Sequence, residues 1–282
     1  MELKILKDTP PWEWPQGTDK MLLGILRDDQ SDQRDKSDRL LAAELAGDYT
    51  VINDELAGTL LTIVLNNEES EDLRARAVIS LGPILETAYI DEFDDPEDVP
   101  ISEETFHRIQ ESLRELYMDT GVPKGVRRRI LEGSVRAPQD WHQEAIREAY
   151  SSDDESWRLT AVFAMRYIRG FNTQILEALE NENEDIHYEA VCAAGNWELD
   201  AAWSHIANLA TTELTDKSLR LVAIEAVASI RPQEAADILI ELIQSDDEDI
   251  VDAAYEATAI SGWFPDEDYD DEDNDEDEKV LH

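Results

Sequence analysis

Histidine and cysteine are the side chains best suited to nucleophilic catalysis or metal binding, and this chain has His107, His142, His187, His205, His282 and Cys192. The histidines fall in separate segments without paired spacing. No His-Glu-x-x-His, Cys-x-x-Cys, glycine-rich phosphate loop or serine nucleophile elbow occurs. Each histidine therefore reads as a polar residue of a helix, and no catalytic, cofactor-binding or metal-binding residue is assigned. Carboxylates are the other candidates, but 67 acids against 24 bases allow any two of them to be named acid and base. Such a pairing carries no information. Residues 28–35 (DDQSDQRD) and the C-terminal acids lack the Asp-x-Asp-x-Asp-Gly spacing with a closing Glu that a calcium loop requires.

The formal net charge of -43 is the extreme feature. Residues 266–278 (DEDYDDEDNDEDE) hold eleven acids, and 56 acids against 23 bases remain in residues 1–265, so the body is acidic as well as the tail. A surface of this sign repels phosphate backbones, which excludes direct nucleic-acid binding. It attracts a basic protein or peptide by steering and complementarity. Only seven of the 24 basic residues are Lys, a composition that also keeps proteins soluble in very salty cytoplasm. One cysteine excludes an internal disulfide framework, and neither a signal-peptide core nor a run of eighteen apolar residues occurs. A cytoplasmic protein with no membrane association is expected.

The elements that must position any site come from an internal repeat. SEDLRARAVISLG (70–82), DESWRLTAVFAMR (154–166), NEDIHYEAVCAAG (183–195), DKSLRLVAIEAVA (216–228) and DEDIVDAAYEATA (247–259) share one frame, and DKSDRLLAAELAG (35–47) and PKGVRRRILEGSV (123–135) are looser copies. An acidic turn precedes an apolar residue, then usually Arg, then small or apolar residues three, six and seven places later. The Arg places are Arg39, Arg74, Arg127, Arg158, His187, Arg220 and Val251, with spacings of 35, 53, 31, 29, 33 and 31. The acidic segment 87–100 accounts for most of the excess in the 53. Upstream of each copy lies another stretch with apolar residues at three- and four-residue spacing, so each unit is helix, acidic turn, helix.

This frame, apolar-Arg-x-x-Ala-x-x-Ala-Leu-Gly after an acidic turn, resembles HEAT repeats, in the variety also found in phycobilin lyases. The resemblance covers residues 18–263, and Leu73, Arg74, Ala77, Leu81 and Gly82 carry it best. His187 and Val251 depart from it in the Arg column, as do Gly133 and Ser134 in the third unit. The resemblance implies an all-α, right-handed α-solenoid of about seven stacked helix pairs, with first helices on the convex side and second helices lining a concave groove. The expected organisation is an N-terminal cap over 1–17, repeats over 18–265 with an acidic insertion at 87–100, and a disordered acidic tail over 266–282.

Within this frame Arg74, Arg158 and Arg220 stand near Asp72, Asp154 and Asp216, which predicts a charge ladder along the turns. The basic island Lys124, Arg127, Arg128, Arg129 and Arg136 follows the acids of 91–98, and mutual neutralisation is favoured there over an anion site. Trp12, Trp14, Trp263 and Phe264 read as covers for the two ends, and Trp157 as core.

Helical geometry turns the first, fifth and eighth places after Arg away from the core. Those places include Gly47, Val135, Arg166, Cys192, Gly195, Ala228 and Ala259, and they predict a partner site of Leu159, Phe163, Tyr188 and Leu221 edged by Glu225, Asp252 and Glu256. This site fits a non-catalytic scaffold holding a basic amphipathic segment. Three other readings stay open: an acidic mimic that blocks a nucleic-acid-binding protein, a phycobilin-lyase-like enzyme suggested by repeat type, and acidity that reflects a salty habitat alone. Because a run of like charge buries no surface, truncation after Pro265 is expected to leave the melting temperature nearly unchanged. Stopped-flow association with a basic peptide should slow at low salt and not at high salt.

Overall fold

A computed structural model describes residues 3–27, 33–93 and 99–261, and the side chains of 33–35 lie outside it. All seven expected helix pairs are present: α2 (Thr18–Arg27) with α3 (Gln33–Leu45), α4 (Asp54–Leu65) with α5 (Glu71–Asp91), α6 (Glu103–Met118) with α7 (Lys124–Ser134), α8 (His142–Tyr150) with α9 (Glu155–Ala164), α10 (Asn172–Ala178) with α11 (Glu184–Asn196), α12 (Trp203–Thr211) with α13 (Lys217–Ile230), and α14 (Pro232–Leu242) with α15 (Glu248–Ser261). A short α1 (Leu3–Lys7) precedes them, and there is no strand among the described residues. The fold class is an all-α solenoid of helix pairs. The chain divides into two compact units, 1–193 and 194 onward.

The acidic turns start helices. Asp154 accepts from the backbone N–H of Ser156, Asp216 accepts from Ser218 and Leu219, and Asn53 and Ser102 do the same for α4 and α6. These caps satisfy N–H groups that the first turn leaves over, and the acids that follow, such as Glu71 and Asp72 in α5, face the positive end of the helix dipole.

The arginine column closes the other end of the unit, which corrects the predicted ladder of Arg against turn acids. Arg74 Nε donates to Val64 O at 2.9 Å, Arg127 Nε to Tyr117 O at 2.7 Å, and Arg220 Nε to Ala210 O at 2.9 Å. Each guanidinium reaches ten residues back to the last turn of the preceding helix. Arg39 and Arg158 vary the theme, donating to Leu26 O and Ser152 O at 3.1 Å. Carbonyls at a helix end have no partner within the helix, and a long planar donor supplies one where water is excluded. Asp154 and Asp216 are engaged as N-caps, and Ser70 rather than Asp72 caps α5.

Small residues let neighbouring second helices touch. A Cβ added to Gly133 would lie 2.8 Å from the carbonyl oxygen of Val78 in α5, and one added to Gly47 would collide with the backbone of Ser80. Ala161, Ala193 and Ala223 are fully buried, as the frame requires.

Three expectations change. Helix α5 continues through Asp91, so the acidic insertion at 87–100 begins as helix; it turns at Glu92 and Phe93, which take positive φ of 50° and 58°. Phe93 then packs edge-on against Phe106 at 5.5 Å. Trp14 behaves as a cover, its indole N–H directed at Leu6 O and Thr9 O, whereas Trp12 is 79% exposed and covers nothing. Trp157 is half-buried rather than core. Trp263, Phe264 and the acidic tail lie outside the described residues, as do residues 94–98.

Arg74 is the most enclosed member of its column, only 4% exposed, and burial holds its pKa below the ordinary arginine value. Arg74→Met leaves the Val64 carbonyl without its donor and should cost about 1–3 kcal/mol in urea unfolding. Arg158→Met, in a more open setting, should cost less; equal losses, or none, would contradict the role assigned to the column.

Candidate partner-binding surfaces

The seven predicted contact residues fall in different units and are described within each. In residues 1–193, Leu159 and Phe163 lie on α9 and Tyr188 on α11, all half-buried. Phe163 is not an open apolar seat. The guanidiniums of Arg136 and Arg166 stand 5.4 and 5.6 Å from its ring centre, and the ring of Tyr167 lies at 5.5 Å. Arg136 pairs with Glu86 at 2.5 Å and Arg166 with Glu189 at 3.1 Å. Burial pushes the Glu189 carboxyl above its usual range despite Arg166 beside it. The patch is a stack of aromatic rings and paired charges, rigid and partly desolvated.

In the second unit Leu221 is half-buried, and Glu225 on α13 and Asp252 and Glu256 on α15 are exposed. Helices α13 and α15 pack side by side. The three bases of residues 194–261 are all engaged elsewhere. Lys217 pairs with Asp247 at 2.9 Å and with Asp249, Arg220 closes α12, and Arg231 holds Asp200 at 2.7 Å. Glu225, Asp252 and Glu256 therefore face solvent beside no neutralising base.

The eighth place of the frame does not point outward as predicted. Gly47, Val135, Gly195 and Ala228 are all buried, and so is Cys192 at the fifth place. A Cβ on Gly195 would come within 3.0 Å of the Ala226 Cβ, which shows why. This edge of each second helix is where the next one packs, and only Ala259 on the last described helix is exposed. The accessible face is formed mainly by the first and fifth places, Cys192 excepted.

Two constellations were not read from the sequence. A cleft of 730 Å³ in the first unit brings together Lys4 and Lys7 of α1, Arg76 of α5, and Arg128 and Arg129 of α7. The Arg127–Arg129 run was a visible signal, but its convergence with α1 needs the fold. Among the described residues the island's charges meet Glu132 and Glu86, Arg129 at 2.5 Å from Glu132 and Arg136 bonded to Glu86; most of the acids expected to neutralise it, those of 94–98, lie outside the described residues. Arg128 also donates to Thr160 Oγ1 at 3.0 Å, tying α7 to α9.

Residues 172–259 match the family model for HEAT repeats. Helices α10 to α15 therefore carry HEAT repeats. Solved structures similar to it include an engineered protein (17% identity, TM-score 0.44, covering 75% of this chain and 99% of that one). Human deoxyhypusine hydroxylase is another (16%, 0.38, 87% and 97%). A third is a designed armadillo repeat protein in complex with the peptide (KR)4 (14%, 0.39, 86% and 98%). No curated protein matches it. Among the described residues no helix is long and apolar enough to cross a membrane, and no group of three metal-binding side chains occurs.

The second unread constellation is His142 with Ser134, both buried, in the fourth and third helix pairs. His142 Nδ1 accepts from the Gln139 backbone N–H at 2.9 Å, which places the ring proton on Nε2, 2.9 Å from Ser134 Oγ; that hydroxyl donates in turn to Ile130 O. Trp141 lies over the ring at 3.8 Å. A serine beside a histidine suggests a nucleophile, but the hydroxyl is committed to a backbone carbonyl and no solvent reaches it. The pair links two helix pairs. Burial lowers the His142 pKa from 6.5 to about 3. The unfolded chain then binds a proton that the folded one refuses, so the contribution is full above pH 6.5 and is lost as pH falls toward 3. His142→Gln should flatten that part of the stability profile, measured as the difference between wild-type and variant urea midpoints from pH 7 to pH 4. A constant difference across that range would sink the assignment.

Proposed function

We propose that this HEAT-repeat protein is a non-catalytic cytoplasmic scaffold whose acidic second-helix face binds a basic, amphipathic segment of another protein. HEAT-like arrays commonly act as protein-interaction scaffolds, because stacked units present a long, regular surface. The observation that carries the basic partner is the second unit's charge: fourteen acids against three bases in residues 194–261, each base already engaged. Glu225 on α13 and Asp252 with Glu256 on α15 offer carboxylates to cationic side chains, and Leu221 offers an apolar contact beside them. Carboxylates one helical turn apart match the spacing of basic residues on one face of a bound helix. In the first unit Leu159, Phe163 and Tyr188 supply aromatic and aliphatic contacts, with Phe163 held in place by the two arginines over its ring.

The test uses a labelled helical peptide with leucine on one face and arginine on the other, titrated with the full chain. Each exposed acid contributes about 0.5–1 kcal/mol at low salt. The triple variant Glu225→Gln, Asp252→Asn, Glu256→Gln should therefore bind roughly ten- to a hundredfold more weakly, and the gap should close as salt rises. Phe163→Ala with Tyr188→Ala should weaken binding at every salt concentration, by about 1–4 kcal/mol. Unchanged affinity in the triple variant at low salt would refute the acidic face as the receiving surface.

A further inference from the structure

The 730 Å³ cleft of the first unit reverses the sign of the molecule. The chain as a whole carries -43, yet five cations from helices far apart in sequence line this one cavity: Lys4, Lys7, Arg76, Arg128 and Arg129. Its carboxylates are fewer, Glu44, Glu71 and Asp72, and Leu40, Leu41 and Ile79 supply an apolar wall. The neutralisation is incomplete and shared. Lys7 and Arg76 both turn to Glu44, at 3.3 and 3.6 Å. Arg128 and Arg129 both turn to Glu132, at 3.7 and 2.5 Å. Lys4 takes part in no ion pair among the described residues. Burial and the neighbouring Arg129 both hold the Arg128 pKa below its ordinary value.

We propose that this cleft binds a small phosphate-bearing ligand, with Lys4, Lys7, Arg76 and Arg129 as its charge contacts. A cavity of this size lies within the range of small-molecule sites, about 300–1,000 Å³. Three features select the chemistry. Guanidinium forks and ammonium groups together match the several acceptor oxygens and double charge of a phosphate, whereas a single carboxylate only repeats what Glu44 already supplies. The ligand must be compact, because a nucleic acid or a long acidic peptide would extend over the surrounding acids and be repelled, while a small anion meets only the local field. The side chains are held in place, since Arg76 and Arg129 are paired with Glu44 and Glu132, and a bound phosphate would relieve the crowding of like charge at Arg128 and Arg129. The inference is independent of the basic partner proposed for the second unit.

Inorganic pyrophosphate is a suitable probe, added to the full chain in magnesium-free buffer against sodium chloride of equal ionic strength, since any salt stabilises so acidic a protein by screening. Thermal unfolding should shift upward saturably with pyrophosphate and not with chloride. Lys4→Ala removes a side chain that makes no ion pair among the described residues and should raise the apparent Kd at least threefold. Arg129→Ala, and Lys7→Ala with Arg76→Ala, should raise it tenfold or more. Arg147→Ala, which removes an exposed base outside the cleft that pairs with Glu144 and lies over the Phe171 ring, should leave it unchanged. The proposal is overturned if wild type shows no saturable shift beyond chloride, if all variants respond as wild type does, or if hexaglutamate shifts the transition while pyrophosphate does not.

Discussion

Each second helix begins a few residues after a first helix has ended, and the carbonyls at that end need donors in a place that packing closes to water. The arginine that follows the capped turn meets this requirement. From Arg74 to Val64, from Arg127 to Tyr117 and from Arg220 to Ala210, one guanidinium ties the start of the second helix to the end of the first. With its ends joined in this way the pair becomes a unit of fixed geometry, and units of fixed geometry can stack. Packing of small residues such as Gly47 and Gly133 against α5 then sets how closely they do so.

The same requirement organises the charge. Bases are scarce, and most of those in the described residues have structural partners: helix-end carbonyls, Glu86, Glu132 and Glu189 in the first unit, Asp200 and Asp247 in the second. Acids used as caps are likewise engaged. What remains at the surface is a surplus of carboxylates such as Glu225, Asp252 and Glu256, and this surplus gives the second unit its attraction for cations. In the first unit the bases gather instead, around the cleft between α1, α3, α5 and α7, so one acidic chain presents two faces of opposite chemistry.

Much of this architecture was legible in the chain. The period of the Arg column, the apolar spacing on both sides of it and the acidic turns specify seven helix pairs, because each is a local pattern that a helix or its cap imposes on its own residues. The outward placement of Glu225, Asp252 and Glu256 also followed from helical geometry, which is local. What the arginines bond was not legible. A turn acid is the obvious partner on paper, but Asp154 and Asp216 are engaged as caps, and the carbonyl ten residues back comes within reach only when the two helices fold antiparallel.

The remaining differences share that cause. The eighth place of the frame looks outward on an isolated helix, and only the neighbouring helix buries Gly195 and Ala228. Phe163 looks like a bare anchor until Arg136, from a preceding unit, comes to lie over its ring. His142 and Ser134, eight residues apart on different helices, become a buried pair through the turn between them. Thus the sequence by itself determined the elements, their number and their net charge, since these depend on residues near one another in the chain. Tertiary structure alone decided which charges are engaged and which cations converge on one cleft, because electrostatic partners are chosen by distance in space, and helix stacking sets those distances.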